Sequence, residues 1–142
     1  IVETDDALLV CDMKRSQDVK KLVETLKREE RHEYKFHTRV MRPWGSATTI
    51  LENKIYRIRM LEIQTGKSLS LQSHQQRSEH WVVLEGTADV QRGDEKVILQ
   101  ENESAFIPKG MHHRLGNSGN TTLQIIEVQQ GEYLGDDGIE RY

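Results

Sequence analysis

Apolar residues follow two different periods along the chain, and the change falls near Arg42. Before it, Val19, Leu22, Val23 and Leu26 recur at i, i+3, i+4 and i+7, the spacing of one helical face. This predicts a helix over 16–31, with Ser16 placed as its N-cap and Asp18 putting negative charge in the first turn. The remaining positions of that segment are Lys, Glu and Arg. Ahead of it, residues 7–11 read as a short apolar strand with no partner nearby in sequence, so its neighbours are expected to lie outside the chain. Residues 27–39 are charged and poor in apolar side chains, which reads as a fraying helix end and a linker. His32 and His37 fall there and read as solvated linker histidines rather than ligands.

From Arg42-Pro43-Trp44-Gly45 onward, the period shortens to two. Strands are predicted over 47–52, 55–64, 69–73, 79–85, 87–92, 96–100, 104–107, 112–115 and 122–130. Turn residues punctuate them at Asn53, Thr65-Gly66, Gly86, Gly93-Asp94, Asn102, Pro108-Lys109-Gly110 and Asn117-Ser118-Gly119-Asn120. Many short strands at this spacing predict an all-β sandwich or barrel over 41–142, preceded by a strand and helix over 1–40.

Composition narrows the function classes. Twenty Lys+Arg against 23 Asp+Glu give a formal charge of −3 in 142 residues, with no clustered basic stretch to grip a phosphate backbone. No apolar run approaches the ~20 residues of a membrane span. Nucleic acid and membrane are therefore not expected partners. One cysteine, Cys11, excludes an internal disulfide framework and fits a reducing, cytoplasmic setting.

The chemistry concentrates in two segments, Gln72–His80 and Pro108–Arg114, which hold four of the six histidines. Gln72 and His74 stand two apart on a predicted strand, so both side chains leave one face. The polar stretch 75–78 can turn the chain back as a hairpin and set Glu79 beside His74. His113, from a third strand, is the candidate to complete the set. Gln72, His74, Glu79 and His113 offer an amide oxygen, two imidazoles and a carboxylate. That mixed N/O set suits a divalent ion such as zinc, manganese, cobalt, nickel or iron.

The spacing carries a resemblance. Gly66-x5-Gln72-x-His74-x4-Glu79-x6-Gly86 resembles the first cupin motif, with Gln in place of its first His. Pro108-x-Gly110-x2-His113-x3-Asn117 resembles the second, with Asn102 where that motif has Gly. Further segments are similar to type II phosphomannose isomerase: Arg42-Pro-Trp-Gly, Leu69-Ser-Leu-Gln, Arg77-Ser-Glu-His-Trp-Val-Val, Glu101-Asn-Glu-Ser, Ile107-Pro-x-Gly, His113-Arg-Leu-x-Asn and Ile125-Ile-Glu-Val-Gln-x-Gly-x-Tyr-Leu-Gly. Asp6-Ala-Leu-Leu-Val-Cys-Asp and Ser16-Gln-Asp-Val-Lys-Lys resemble the end of a mannose-1-phosphate guanylyltransferase part. Family members commonly read Gln-Met-His-His-His-Arg where this chain reads Gln72-Ser-His-Gln-Gln-Arg77. By the motif spacing, positions 75 and 76 are not ligands.

The resemblance implies a cupin double-stranded β-helix (jelly-roll) barrel with a short N-terminal extension. It further implies that the chain is the C-terminal part of a bifunctional enzyme of GDP-mannose synthesis, joined to an upstream guanylyltransferase domain. The glycine-rich nucleotide loop of that domain is absent here. The implied activity is metal-dependent isomerisation of mannose 6-phosphate and fructose 6-phosphate, with zinc the first expected metal and manganese, cobalt or nickel the alternatives. Moving a proton between C1 and C2 needs a base, for which His80, Glu127 and Asp137 are candidates. The phosphate needs cations, for which Arg77, Arg114 and Arg141 are candidates, Arg77 first. Trp81, Val82 and Val83 read as core, and His112 as exposed. A barrel of this kind can pair through an edge strand, so a homodimer is an expectation. The rival reading is a non-catalytic cupin module for binding or dimerisation.

Overall fold

A computed structural model describes residues 1–3, 7–29 and 38–142. The chain divides into two compact units, 1–40 and 41–142.

In the first unit, β1 (Val2–Glu3) pairs antiparallel with β2 (Leu8–Leu9), Val2 opposite Leu9. The short apolar strand therefore finds its partner within the chain, contrary to the expectation from its isolation in the sequence. A 3-10 turn, Met13–Asp18, precedes α1 (Val19–Arg28). The helix thus begins later than the periodicity predicts, and Ser16 does not cap it. Asp12 takes the capping role instead, its side chain accepting from the Lys14 N–H at 2.9 Å and starting the 3-10 turn. His32, His37 and Asp6 lie outside the described residues.

The second unit is built from two antiparallel sheets. The larger contains β3 (Arg39–Arg42), which starts two residues before the division between the units, and β4 (Gly45–Glu52), β5 (Tyr56–Ile63), β7 (Arg77–Glu85), β10 (Ser104–Ile107) and β12 (Leu123–Gly131), in the order β10-β7-β12-β5-β4-β3. The smaller contains β6 (Gln72–His74), β8 (Ala88–Arg92), β9 (Glu95–Leu99), β11 (His113–Gly116) and β13 (Ile139–Arg141), in the order β13-β6-β11-β8-β9. Most strands lie within a residue or two of their sequence predictions, while β3 and β13 carry too little apolar pattern to be foreseen. Leu61, Ile63, Trp81, Val83, Ala88, Val90, Ile107, Leu115, Leu123 and Ile125 form one buried cluster between the sheets.

Register sorts that interior into layers. Ile125 on β12 faces Leu61 and Val83 on its two neighbours, an all-apolar row. Two residues along, Glu127 faces Arg59 and Trp81. Two further, Gln129 faces Arg57 and Glu79. Because side chains on one face recur every second residue, all three rows point the same way. The core is therefore apolar at one end and polar at the other, and the polar end is where the candidate ligands gather.

One glycine makes that end possible. A Cβ on Gly131 would lie 2.1 Å from the Gln76 carbonyl oxygen and 2.6 Å from the Arg77 Cα. Backbone cannot retreat as a side-chain tip can, so Gly131→Ala is expected to destabilise by about 1–3 kcal/mol, as overpacking does. A calorimetric scan that leaves the melting midpoint unmoved would contradict this.

Candidate functional site

The turn at Gln75-Gln76 does not make the expected hairpin. It carries the chain from β6 in the smaller sheet to β7 in the larger, so His74 and Glu79 approach from two sheets rather than as neighbours on paired strands. A hairpin would have bonded β6 to β7, whereas β6 bonds to β11 and β13. The Gly110 N–H donates to the His74 carbonyl at 2.8 Å, tying the second motif's turn to the first. His113 lies opposite Gln72 in the β11–β6 register.

These placements bring His74, Glu79 and His113 together, each almost wholly buried, with one ligand atom apiece within 4.8 Å of the others. His74 Nε2 is 3.0 Å from Glu79 Oε1, and His113 Nε2 is 3.7 Å from Glu79 Oε2. The two imidazole centroids are 4.9 Å apart. His113 Nδ1 lies 2.8 Å from the Met111 carbonyl and donates to it, so the Nε2 lone pair faces Glu79. The Gln72 amide sits 3.5 Å from His113 Nε2. Its nitrogen faces the ring, and half a turn of the amide presents Oε1 instead.

Glu79 is the hub. It accepts from Arg77 Nε at 3.2 Å and from Gln129 Nε2 at 3.0 Å, both on Oε1. Burial alone would raise its proton affinity. The hydrogen bond from His74, the charges that His74 and His113 carry when protonated, and the charge of Arg77 outweigh burial and hold Glu79 well below the usual carboxylate range. Its other oxygen, Oε2, is buried with no hydrogen-bond partner. A buried ionised oxygen without a donor is costly. A divalent cation between Oε2 and the two imidazoles would satisfy it, so the donor set fits a metal ion.

Burial holds His113 below the ordinary histidine range, although Glu79 pulls the other way. The folded state therefore prefers neutral His113, and the unfolded state takes up the proton first. Stability from this group is present above the ordinary value near 6.5 and is lost as pH falls through that range. Glu79, lowered by folding, acts in the same direction further into acid. Chelator-treated protein is thus expected to melt lower at about pH 5 than at about pH 7.5. Equal midpoints would show that His113 is not linked to folding.

The other sequence candidates are placed differently. Arg77 is buried, held between Glu79 and the Gly135 carbonyl, to which Nη1 donates at 2.9 Å. Glu127 is buried, engaged by Arg59 Nε at 2.5 Å and by Trp81 Nε1 at 3.3 Å. Burial raises its proton affinity, and Arg59 only partly offsets this. His80 is exposed on the face opposite Glu79 and meets the Phe106 ring edge-on. Arg114 and Arg141 are exposed, Arg114 on the strand face opposite His113. Asp137 accepts from the Tyr133 hydroxyl at 2.6 Å. Trp81, in the core as expected, also sets its ring 5.5 Å from that of His113. His112 is exposed and stacks near Tyr142.

Sequence reasoning missed Gln129, Arg57, Arg59 and Asp136. Gln129 stands in phase with Leu123, Ile125 and Glu127, so the alternation could have revealed it. A cavity of about 220 Å³ opens beside the triad, lined by His74, Arg77, Tyr133, Asp137 and Ile139 among others. A larger one of about 610 Å³ lies elsewhere, by Lys67, Lys96 and Arg114, and holds none of the candidate ligands.

Residues 29–142 match the family described as mannose-6-phosphate isomerase C-terminal. The chain belongs to that family. It is 46% identical over 142 residues to the xanthan biosynthesis protein XanB of Xanthomonas campestris, covering 100% of this chain and 30% of that protein. It is 48% identical over 141 residues to the mannose-1-phosphate guanylyltransferase RfbM of Salmonella typhimurium, covering 99% of this chain and 29% of that protein. The chain thus spans about 30% of the length of these curated relatives. Among solved structures it is similar to the capsular polysaccharide assembling protein CapF of Staphylococcus aureus (TM-score 0.64, 17% identity, 76% of this chain and 35% of that one). It is also similar to a protein with a double-stranded β-helix domain from Klebsiella pneumoniae (TM-score 0.60, 19% identity, 67% and 76%). The fold of this family member is the cupin double-stranded β-helix, as its motif spacing predicted, with the two sheets facing each other rather than closing into one. Among the described residues, no helix is long and apolar enough to cross a membrane.

Proposed function

We propose that the domain interconverts mannose 6-phosphate and fructose 6-phosphate, using a divalent metal held by His74, Glu79 and His113, with Gln72 as a further oxygen donor. The observation that carries this is the unpartnered Glu79 Oε2 between two buried imidazoles, in a chain of this family. Bound there, the metal supplies Lewis-acid polarisation of the sugar carbonyl and stabilises the enediolate oxygen. The chain's own residues do the rest. Arg77 and Gln129 fix the Glu79 carboxylate, and the Met111 carbonyl fixes the His113 ring. Glu127 is the base we assign to carry the proton between C1 and C2. Among the sequence candidates for base, it alone is buried, and burial raises its proton affinity toward the range that proton transfer needs. His80, on the outer face, is not given that role.

Zinc is the metal we expect first. Residues 1–40 are read as the closing segment of an upstream guanylyltransferase domain, with which the isomerase would work in GDP-mannose synthesis.

The test is a coupled assay for fructose 6-phosphate formed from mannose 6-phosphate. Chelator-stripped protein is expected to be inactive and to recover on addition of zinc, manganese, cobalt or nickel. Protein that takes up no metal and shows no turnover would instead be a scaffold or dimerisation module. Ligand protonation competes with metal. Bound metal, measured after dialysis, is therefore expected to drop between about pH 7.5 and about pH 5. Unchanged metal content across that interval would count against imidazole ligation.

A further inference from the structure

Three arginines converge on one carboxylate at the polar end of the core. Arg57 and Arg59 stand two apart on β5 and leave the same face as Leu61 and Ile63. Asp136 opens the short 3-10 turn Asp136–Gly138. Its Oδ2 accepts from Arg42 Nη2 at 2.9 Å. Its Oδ1 lies 3.7 Å from Arg57 Nη1 and 3.7 Å from Arg59 Nη1, too far for a hydrogen bond, and is buried without a partner. Arg57 Nε is likewise buried and unpartnered. Opposite charges face each other here with their hydrogen-bonding capacity unspent on both sides.

A carboxylate suits this place poorly, and a phosphate suits it well. A phosphomonoester brings about −1.5 to −2 charges near pH 7 and three acceptor oxygens, where Asp136 brings one charge and two oxygens. Guanidinium forks match that geometry and form bidentate pairs with it. Glu127 holds Arg59 by its Nε, and Glu52 holds Arg57 by Nη2 at 2.7 Å, so both forks are already aimed. Burial works against the charge of Arg59, but Glu127, Glu79 and Asp136 together hold it firmly protonated. The residue before Asp136 accepts from Arg77, which itself touches Glu79 and the His74 ring. The anion place and the metal triad are thus joined through one short strap of chain.

We propose that Arg57 and Arg59 form the phosphate-binding end of the site, and that the Asp136 carboxylate is an internal occupant which the substrate's phosphate displaces. The proposal rests on the isomerase reading for the sugar attached to that phosphate, but the phosphate site itself does not need turnover to be seen. It also explains why Arg77, Arg114 and Arg141 are ill placed to hold the phosphate. The first is spent on Glu79 and Gly135, and the other two face solvent.

The test is calorimetric titration of inorganic phosphate into the whole chain. Asp136→Asn is expected to bind phosphate about tenfold more tightly, and Arg57→Gln and Arg59→Gln about tenfold more weakly, the worth of one charge-assisted hydrogen bond. Arg114→Gln is expected to bind as the natural protein does. Circular dichroism identifies any variant that fails to fold; should Arg59→Gln fail, Arg57→Gln and Asp136→Asn decide the question. Unchanged phosphate affinity in folded Arg57→Gln, or weakened affinity in Asp136→Asn, overturns the proposal. The expected phosphate pattern in a protein without isomerase turnover would leave this site standing and remove the isomerase reading. Turnover with phosphate affinity indifferent to Arg57 and Asp136 would do the reverse.

Discussion

Glu79→Gln is expected to lose bound metal and to lower isomerase turnover by roughly a thousandfold, the several kcal/mol that Lewis-acid stabilisation contributes. The substitution keeps the volume of the side chain and removes its charge. Oε1 is the shared acceptor of His74, Arg77 and Gln129, while Oε2 is the atom left for a cation. A neutral amide offers one acceptor where the carboxylate offers two, and its NH2 group would face donors. The imidazoles then lose the charge that draws a cation between them. Metal analysis by mass spectrometry, alongside the coupled assay, reads both effects. His112→Ala, one residue from a ligand but exposed on the other face, is the comparison and is expected to change neither. Metal retained at full stoichiometry in Glu79→Gln would remove the carboxylate from the ligand set.

Arg77→Ala is expected to cost about 3–5 kcal/mol of stability, the range for removing one partner of a buried ion pair. Arg77 and Glu79 both have side chains no more than 2% exposed. Truncation leaves the Glu79 carboxylate with less positive charge beside it, and leaves the Gly135 carbonyl without its donor. For a chain of this size the melting midpoint should fall by roughly 10 °C or more. Arg77→Lys keeps the charge but cannot reach Glu79 and Gly135 together with a planar fork, so it should fall between the two. Arg114→Ala removes an equal charge from the surface and is expected to leave stability within about 0.5 kcal/mol of the natural protein. A small shift for Arg77→Ala would mean that the guanidinium is held less tightly than its three neighbours imply.

The clustering of His74, Glu79 and His113 was legible because it depends on features that a sequence carries locally. Gln72 and His74 share a strand face, and two turns bring Glu79 and His113 in from known distances along the chain. The path between them was not legible. Gln75-Gln76 looks like any polar hairpin turn, and only the pairing of β6 with β11 and β13 shows that it passes between sheets. Arg57 and Arg59 were hidden by their neighbours. Ile58 and Met60 alternate with them, so the arginines read as the solvent side of β5. The phase reverses because Leu61 and Ile63 bury instead. Asp136 could not be found locally at all, since its partners lie on β5 and at the end of β3. In the helical unit, periodicity located α1 but not its start, because Ser16 reads as an N-cap while Met13–Asp18 form a 3-10 turn whose cap is Asp12.

The strand crossing at Gln75-Gln76 also sets when the site can exist during synthesis. The contacts at the triad join residues far apart in sequence: 41 positions between Gln72 and His113, 50 between Glu79 and Gln129, 67 between Ser73 on β6 and Glu140 on β13. Loop closure over such spans is slow, and little of it can occur before the distant strand has left the ribosome. A nascent chain therefore carries His74 and Glu79 in the open for as long as translation takes to reach β12 and β13. During that interval these two side chains are open to adventitious ions, and the unpaired edge of β7 is free for other chains.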